Sequence, residues 1–195
     1  YVYLTGFPAW DNSFANNTLV IAGQRSVAVW RNFVAGALPD DIFSETIGSV
    51  AMSDIRGVAY DGTYFALADR DSVSVFEGIP VSGQQPFRQY SIRGPGRLDM
   101  RGGLLAIAPR EGADVYLVDV TTTKAPQKLN VKVNLPMQAK FLETGFAIAD
   151  TSFHRVQIWS NLTSVQAGSE PDRVLGGAIG ERPQTLGNRF YFPSS

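Results

Sequence analysis

Four short stretches of this sequence end alike. TLVIAG (18–23), YFALAD (64–69), LLAIAP (104–109) and GFAIAD (145–150) place Ala22, Ala68, Ala108 and Ala149 at separations of 46, 40 and 41 residues. A recurrence of this kind marks supersecondary units that bury their apolar faces against one another. After each stretch comes a polar turn and then SVAVW (26–30), SVSVF (72–76), DVYLV (114–118) or RVQIW (155–159). Their period-two alternation is that of half-buried β-strands. Ala22 to Trp30 and Ala68 to Phe76 are eight residues, whereas Ala108 to Val118 and Ala149 to Trp159 are ten. A difference of two is one full pleat, so Trp30, Phe76, Val118 and Trp159 are expected to face the same layer.

Each unit also carries a preceding strand: GFPAWD (6–11), RGVAYD (56–61), GRLDMR (96–101) and QAKFLE (138–143). A more variable outer segment follows: DDIFSETIG (40–48), FRQYSIRG (87–94), QKLNVKV (127–133) and DRVLGG (172–177). Four strands in roughly 40–46 residues make the blade of a β-propeller. The predicted class is all-β, a propeller segment of about four complete four-stranded blades plus part of a fifth. The blades are read at 6–48, 53–94, 96–133 and 138–177, and RPQTLGNRFYFPSS (182–195) reads as the start of the fifth. No amphipathic helix of useful length is visible.

Composition narrows the setting. The 195 residues are 44% hydrophobic and 18% charged, which fits a chain that buries a sizeable core. Seventeen Lys plus Arg against 18 Asp plus Glu leave no global field for nucleic acid or an anionic membrane. The absence of cysteine excludes disulfides, thiolate metal sites and cysteine nucleophiles. No apolar run reaches the roughly 18–20 residues of a membrane span, and no signal-peptide pattern follows Tyr1.

GVAYDGTYFALADRDSVSVFEG (57–78) and GFAIADTSFHRVQIWSN (145–161) resemble the NHL-repeat family of β-propellers, with its inner strand, "lyVAD" run, short turn, Arg and aromatic-ended strand. EPDRVLGG (170–177) is similar to blade endings of bacterial members. Gly23 and Pro109 stand where the family has Asp, and the Arg at the position of Arg155 recurs in no other unit. The resemblance implies a propeller of about six blades, roughly 250 residues or more. Blades read from this sequence alone would leave two open sheet edges, to be closed by missing blades of the same propeller or by other protein chains. The opening Tyr1, without Met, fits a piece of something longer.

His154 is the single histidine; with Asp150 and Arg155 it falls in a turn, and all three are read as turn-structuring, as is Asp69 at the position of Asp150. The recurring Trp30, Phe76 and Trp159 are read as packing between blades. Inner strands line a propeller's channel, and here they carry Trp10, Asp11, Arg56, Asp61, Asp99, Arg101, Lys140 and Glu143. Asp61, Asp99 and Glu143 are the candidates for a Ca²⁺ site through oxygen ligands. Gluconolactonase-type propellers resemble that arrangement in outline, which implies, as an alternative function, a metal-dependent hydrolase or lyase with a channel active site completed by missing blades. No catalytic residue is assigned and no cofactor is otherwise expected. Arg88, Arg93, Arg97, Arg101 and Arg110 form a loose basic stretch, of which Arg93, Arg97 and Arg101 are candidate binding residues; nucleic acid is disfavoured by the neutral balance. Sequons at Asn16 and Asn161 permit glycosylation in an exported protein. The expected function is a non-catalytic binding or scaffolding module, periplasmic or secreted.

Overall fold

The computed structural model describes residues 5–177. Four four-stranded antiparallel sheets follow one another along the chain. The first comprises β1 (Asp11–Ala15), β2 (Thr18–Ala22), β3 (Ser26–Trp30) and β4 (Asp41–Ser44). A small hairpin, β5 (Thr46–Ile47) and β6 (Val50–Ala51), leads out of it. The second comprises β7 (Ile55–Tyr60), β8 (Tyr64–Asp69), β9 (Ser72–Glu77) and β10 (Arg88–Ser91). The third comprises β11 (Leu98–Arg101), β12 (Leu104–Ile107), β13 (Tyr116–Asp119) and β14 (Gln127–Lys128). The fourth comprises β15 (Pro136–Phe141), β16 (Phe146–Asp150), β17 (Arg155–Trp159) and β18 (Arg173–Gly176). One 3₁₀ turn (Thr151–Phe153) and one short helix, α1 (Leu162–Gln166), complete the described elements.

In each sheet the strands pair in sequence order, as a meander. The first strands β1, β7, β11 and β15 are neighbours in turn, so they form the inner wall of an arc. The architecture is that of propeller blades. The stretch 182–195, read as the opening of a fifth blade, lies outside the described residues.

The sheets bury their faces in three apolar layers. Val20, Ala22, Val27 and Val29 of the first meet Val58, Phe65, Leu67 and Phe76 of the second. Ala66, Ala68, Val73 and Val75 meet Leu98, Leu105, Ile107 and Val118 of the third. Ala106, Ala108 and Leu117 meet Phe146, Ile148 and Trp159 of the fourth. Phe76, Val118 and Trp159 therefore all point back at the preceding blade. The pairings Trp30↔Leu19, Phe76↔Phe65, Val118↔Leu105 and Trp159↔Phe146 are equivalent, each three residues before the recurring alanine. Trp30 lies on the opposite face from Val20 and Val29, where no described blade precedes it, and there it packs against Phe33.

Two inner strands are displaced from their expected positions. The first lies at Asp11–Ala15 rather than 6–11. Pro8 has no N–H for a ladder, and the Asn16-Asn17 pair closes a two-residue hairpin with φ of 46° and 58°, which extends the pairing toward that turn. The fourth begins at Pro136 and ends at Phe141, leaving Glu143 in the following turn.

Candidate functional site

A recurring carboxylate ties each of two blades to the chain segment entering it. Asp69 accepts from Ser53 N (2.7 Å), Ser53 Oγ (2.9 Å) and Asp54 N (2.7 Å). Asp150 accepts from Asn134 N (3.2 Å) and Leu135 N (3.1 Å). In both cases the donors lie 16 and 15 residues upstream. These aspartates thus hold the connection between blades rather than their own hairpins. Where Gly23 replaces Asp, residues 16 and 15 upstream are Phe7 and Pro8; a Cβ at Gly23 would stand 2.4 Å from Phe7 Cδ2 and 2.7 Å from Pro8 O. The segment itself fills the place of the carboxylate there, and Pro8 has no N–H to satisfy.

Arg155 lies beside Asp150 with both side chains fully buried, their contact 3.5 Å. Its guanidinium also donates to Lys132 O and lies over the Phe153 ring at 4.6 Å. His154 ends the 3₁₀ turn in the left-handed region (φ 47°, ψ 45°) and its carbonyl accepts from Gly177 N (3.1 Å). This residue places the chain for β17 and closes the blade against β18.

At the mouth where the inner strands end, Ser13, Tyr60, Asp61, Asp99, Arg101 and Lys140 border a polar cleft of about 420 Å³. Its side chains link neighbouring blades. Ser13 Oγ accepts from Tyr60 N (2.8 Å), and Asp99 at the equivalent register accepts from Phe141 N (2.7 Å) and Lys140 Nζ (3.0 Å). Asp61 accepts from Thr63 N (2.9 Å), Tyr64 N (2.8 Å) and Gly103 N (2.8 Å). Arg101 donates to the carbonyls of Leu142 and Glu143. The Glu143 side chain is exposed in its turn.

Asp61, Asp99 and Glu143 are therefore not brought together. Among the described residues no group of three or more His, Asp or Glu is placed to hold a metal ion. The sequence suggested convergence because all three sit near inner-strand ends. One oxygen of Asp61 and one of Asp99 instead accept from a backbone N–H of the next blade, which is how a stack of blades satisfies donors at its seam. Of the three candidate arginines, Arg101 braces this mouth, Arg97 lies at the opposite mouth beside Trp10 and Arg56, and Arg93 is exposed elsewhere. They do not form one strip.

Two carboxylates differ in what burial does to them. Asp11 is buried, and loss of solvent pushes its carboxyl above the ordinary range, against the Val58 N–H (3.1 Å) and the charge of Arg97. Asp172, exposed in the β17–β18 connection, is held below that range by the Ser160 N–H. The sequence places Asp11 on the inner strand but carries no sign of this role, since its partner lies 47 residues away.

Both sequon asparagines have structural positions. Asn16 is exposed at the β1–β2 turn and packs against Gly62, while Thr18 of its triplet is buried. Asn161 caps α1, its Oδ1 accepting from Ser164 N (2.8 Å).

No family model and no curated protein matches the chain in sequence. Solved structures do match in fold. A chain of a mitotic checkpoint complex aligns with a TM-score of 0.61 at 18% identity over 89% of this chain and 52% of its own. The structure of U3-55K aligns with a TM-score of 0.62 at 12% identity, over 89% and 53%. The glutaminyl cyclase of Myxococcus xanthus aligns with a TM-score of 0.54 at 13% identity, over 86% and 70%. This chain spans about half the length of the first two. The likeness is one of fold: the protein is an all-β arc of propeller blades. No helix among the described residues is long and apolar enough to cross a membrane.

Proposed function

We propose that this protein is an NHL-like β-propeller binding and scaffolding module of an extracytoplasmic protein or assembly, whose first partners are further blades of the same propeller. The carrying observation is the pair of apolar sheet faces at the two ends of the arc. On the leading face Phe14, Leu19, Ile21, Ala28 and Ile42 share one side of the first sheet, with Phe14 58% and Ile42 52% exposed. On the trailing face Ala149, Val156 and Leu175 share one side of the fourth, with Leu175 49% exposed, around a cleft of about 350 Å³.

Internal blades bury such faces completely, and burial of this area is worth about 25 cal/mol per Å². A closed ring gives every blade two neighbours; an open arc leaves two faces wet. The neighbouring propeller-like structures run to about twice the length aligned here, which leaves room for the blades that would cover both faces. Recognition of other proteins would then fall to the loops on one propeller face, held by rigid sheets.

The test is the mass of the native protein in solution by sedimentation or light scattering. The expected result is a particle larger than 21.2 kDa, the mass of this sequence alone. A compact, monodisperse particle of that mass, with both end faces open to solvent in hydrogen exchange, overturns the reading.

A further inference from the structure

The channel mouth at which the inner strands begin is built differently from the one at which they end. Trp10, Arg56, Arg97, Ala108, Arg110 and Met137 line a small cavity of about 120 Å³ there. All four sheets contribute to it, directly or through the segment that enters them. Two of these residues owe their placement to a repeated irregularity. The β7–β8 ladder slips between Ile55 and Gly57, and the β15–β16 ladder slips between Pro136 and Gln138. Arg56 and Met137 are the extra residues. A bulge re-aims the side chain at the point where it breaks alternation, and such breaks gather beside binding sites. Gly57 assists: a Cβ there would stand 2.2 Å from Gly96 O, so only glycine lets the segment carrying Arg97 pass this close.

The three guanidinium groups are held in different ways. Arg56 is fixed from behind, its Nη2 by Asp54 (2.9 Å) and its buried Nη1 more loosely by Glu111 (3.5 Å). Arg110 stacks over the Trp10 ring at 5.6 Å. Arg97, exposed, makes no side-chain hydrogen bond among the described residues and faces the Asp11 carboxyl only through space. No carboxylate lines the cavity itself. Oriented donors of one sign, with an indole and a thioether as the apolar wall, suit an oxyanion that can take forked hydrogen bonds from guanidinium.

We propose that this mouth is a binding site for a small oxyanion, a carboxylate or a phosphate group, recognised by Arg97 and Arg110, with the Arg56 guanidinium adding its charge from behind. Trp10 forms one wall, so binding perturbs its stacking with Arg110 and reports in indole fluorescence; Trp30 and Trp159 are buried and serve as the constant background. The proposal is independent of how the ring is completed, since every lining residue lies in the described arc.

The test titrates the whole protein at low ionic strength with acetate, succinate and inorganic phosphate at constant chloride, reading Trp10 fluorescence and melting temperature. Saturable binding is expected, weakened roughly tenfold or more in Arg97→Ala, where charge-assisted hydrogen bonds are lost. Arg97→Lys, which keeps the charge and loses the fork, is expected to fall between. Arg93→Ala, exposed and outside the cavity, should bind as the parent does. Tighter binding of phosphate identifies a phosphoryl ligand, and tighter binding of succinate an acidic organic one; each supports the site. Absence of saturation for all three anions overturns it, as does equal weakening by Arg93→Ala and Arg97→Ala, which would mark diffuse surface charge.

Discussion

At the scale of single residues, the buried carboxylates hold the blades in register, and each makes a separate prediction. Asp69 satisfies two backbone N–H groups and a hydroxyl of the incoming segment. Asp69→Ala strands those donors and is expected to destabilise the fold by about 3 kcal/mol in urea unfolding, whereas Asp69→Asn, which keeps an acceptor, costs less. Asp150 and Arg155 are a fully buried pair, so Arg155→Ala leaves an uncompensated carboxylate at an expected cost of about 3–5 kcal/mol. Asp11 behaves in the opposite sense. Its folded carboxyl titrates above the unfolded one, so the folded state binds more protons in that interval and stability falls as pH rises through it. Asp11→Asn keeps an acceptor for Val58 N and removes the charge. It is expected to be at least as stable as the parent at pH 7, with the advantage shrinking as pH falls through the raised folded value and gone once the ordinary carboxylate range, about 4, is passed. Loss of stability in the variant at neutral pH would refute this. The recurrence of Asp69 and Asp150 was legible in the sequence, but their partners, 16 residues upstream across the seam, were not.

Elements are where the sequence spoke most clearly. The recurring apolar runs fixed β2, β3, β8, β9, β16 and β17 to within a residue, because a short apolar run bounded by turn residues forms a strand, and β3, β8 and β9 bury both faces between blades. Outer strands are shorter than the segments that announced them; β14 has two residues, since an edge has only one neighbour to pair with. The β5–β6 hairpin and α1 gave no signal, for both lie in connections shaped by what they cover, such as Val165 under the fourth blade. The aromatic that ends the third strand also acts at this scale. Trp30 Nε1 donates to Ala37 O and Trp159 Nε1 to Ser169 O, both at 2.8 Å, so each indole pins the long connection to its outer strand. Trp159→Phe is expected to keep the core and loosen residues 160–172, seen as faster amide exchange there. At the β1–β2 turn both asparagines are left-handed. Asn17→Gly should be close to neutral and Asn17→Val destabilising by about 1 kcal/mol or more, measured by thermal unfolding.

At the scale of the whole molecule, the open ends decide what the arc can be. Charge placed on a face that another blade covers is destabilising, and charge placed on a wet face is almost silent. Phe14→Asp or Leu175→Asp in the native protein is therefore expected to lower its melting temperature by several degrees. No change in either variant would mean that both faces stand free. The number of strands per unit, their order and the facing of Trp30, Phe76, Val118 and Trp159 were determined by the sequence alone, because a two-residue pleat and a repeat of some forty residues are local periodicities. What only the tertiary structure decided is which charges meet. Asp61 and Asp99 border one cleft, yet each gives an oxygen to a backbone N–H of the next blade. Arg56, Arg97 and Arg110, scattered over 55 positions, meet at one mouth, where a bulge places Arg56 and Gly57 admits the segment of Arg97, neither of which a local pattern announces. Facing follows from neighbours along the chain, whereas convergence on the axis depends on how far each blade is turned against the next.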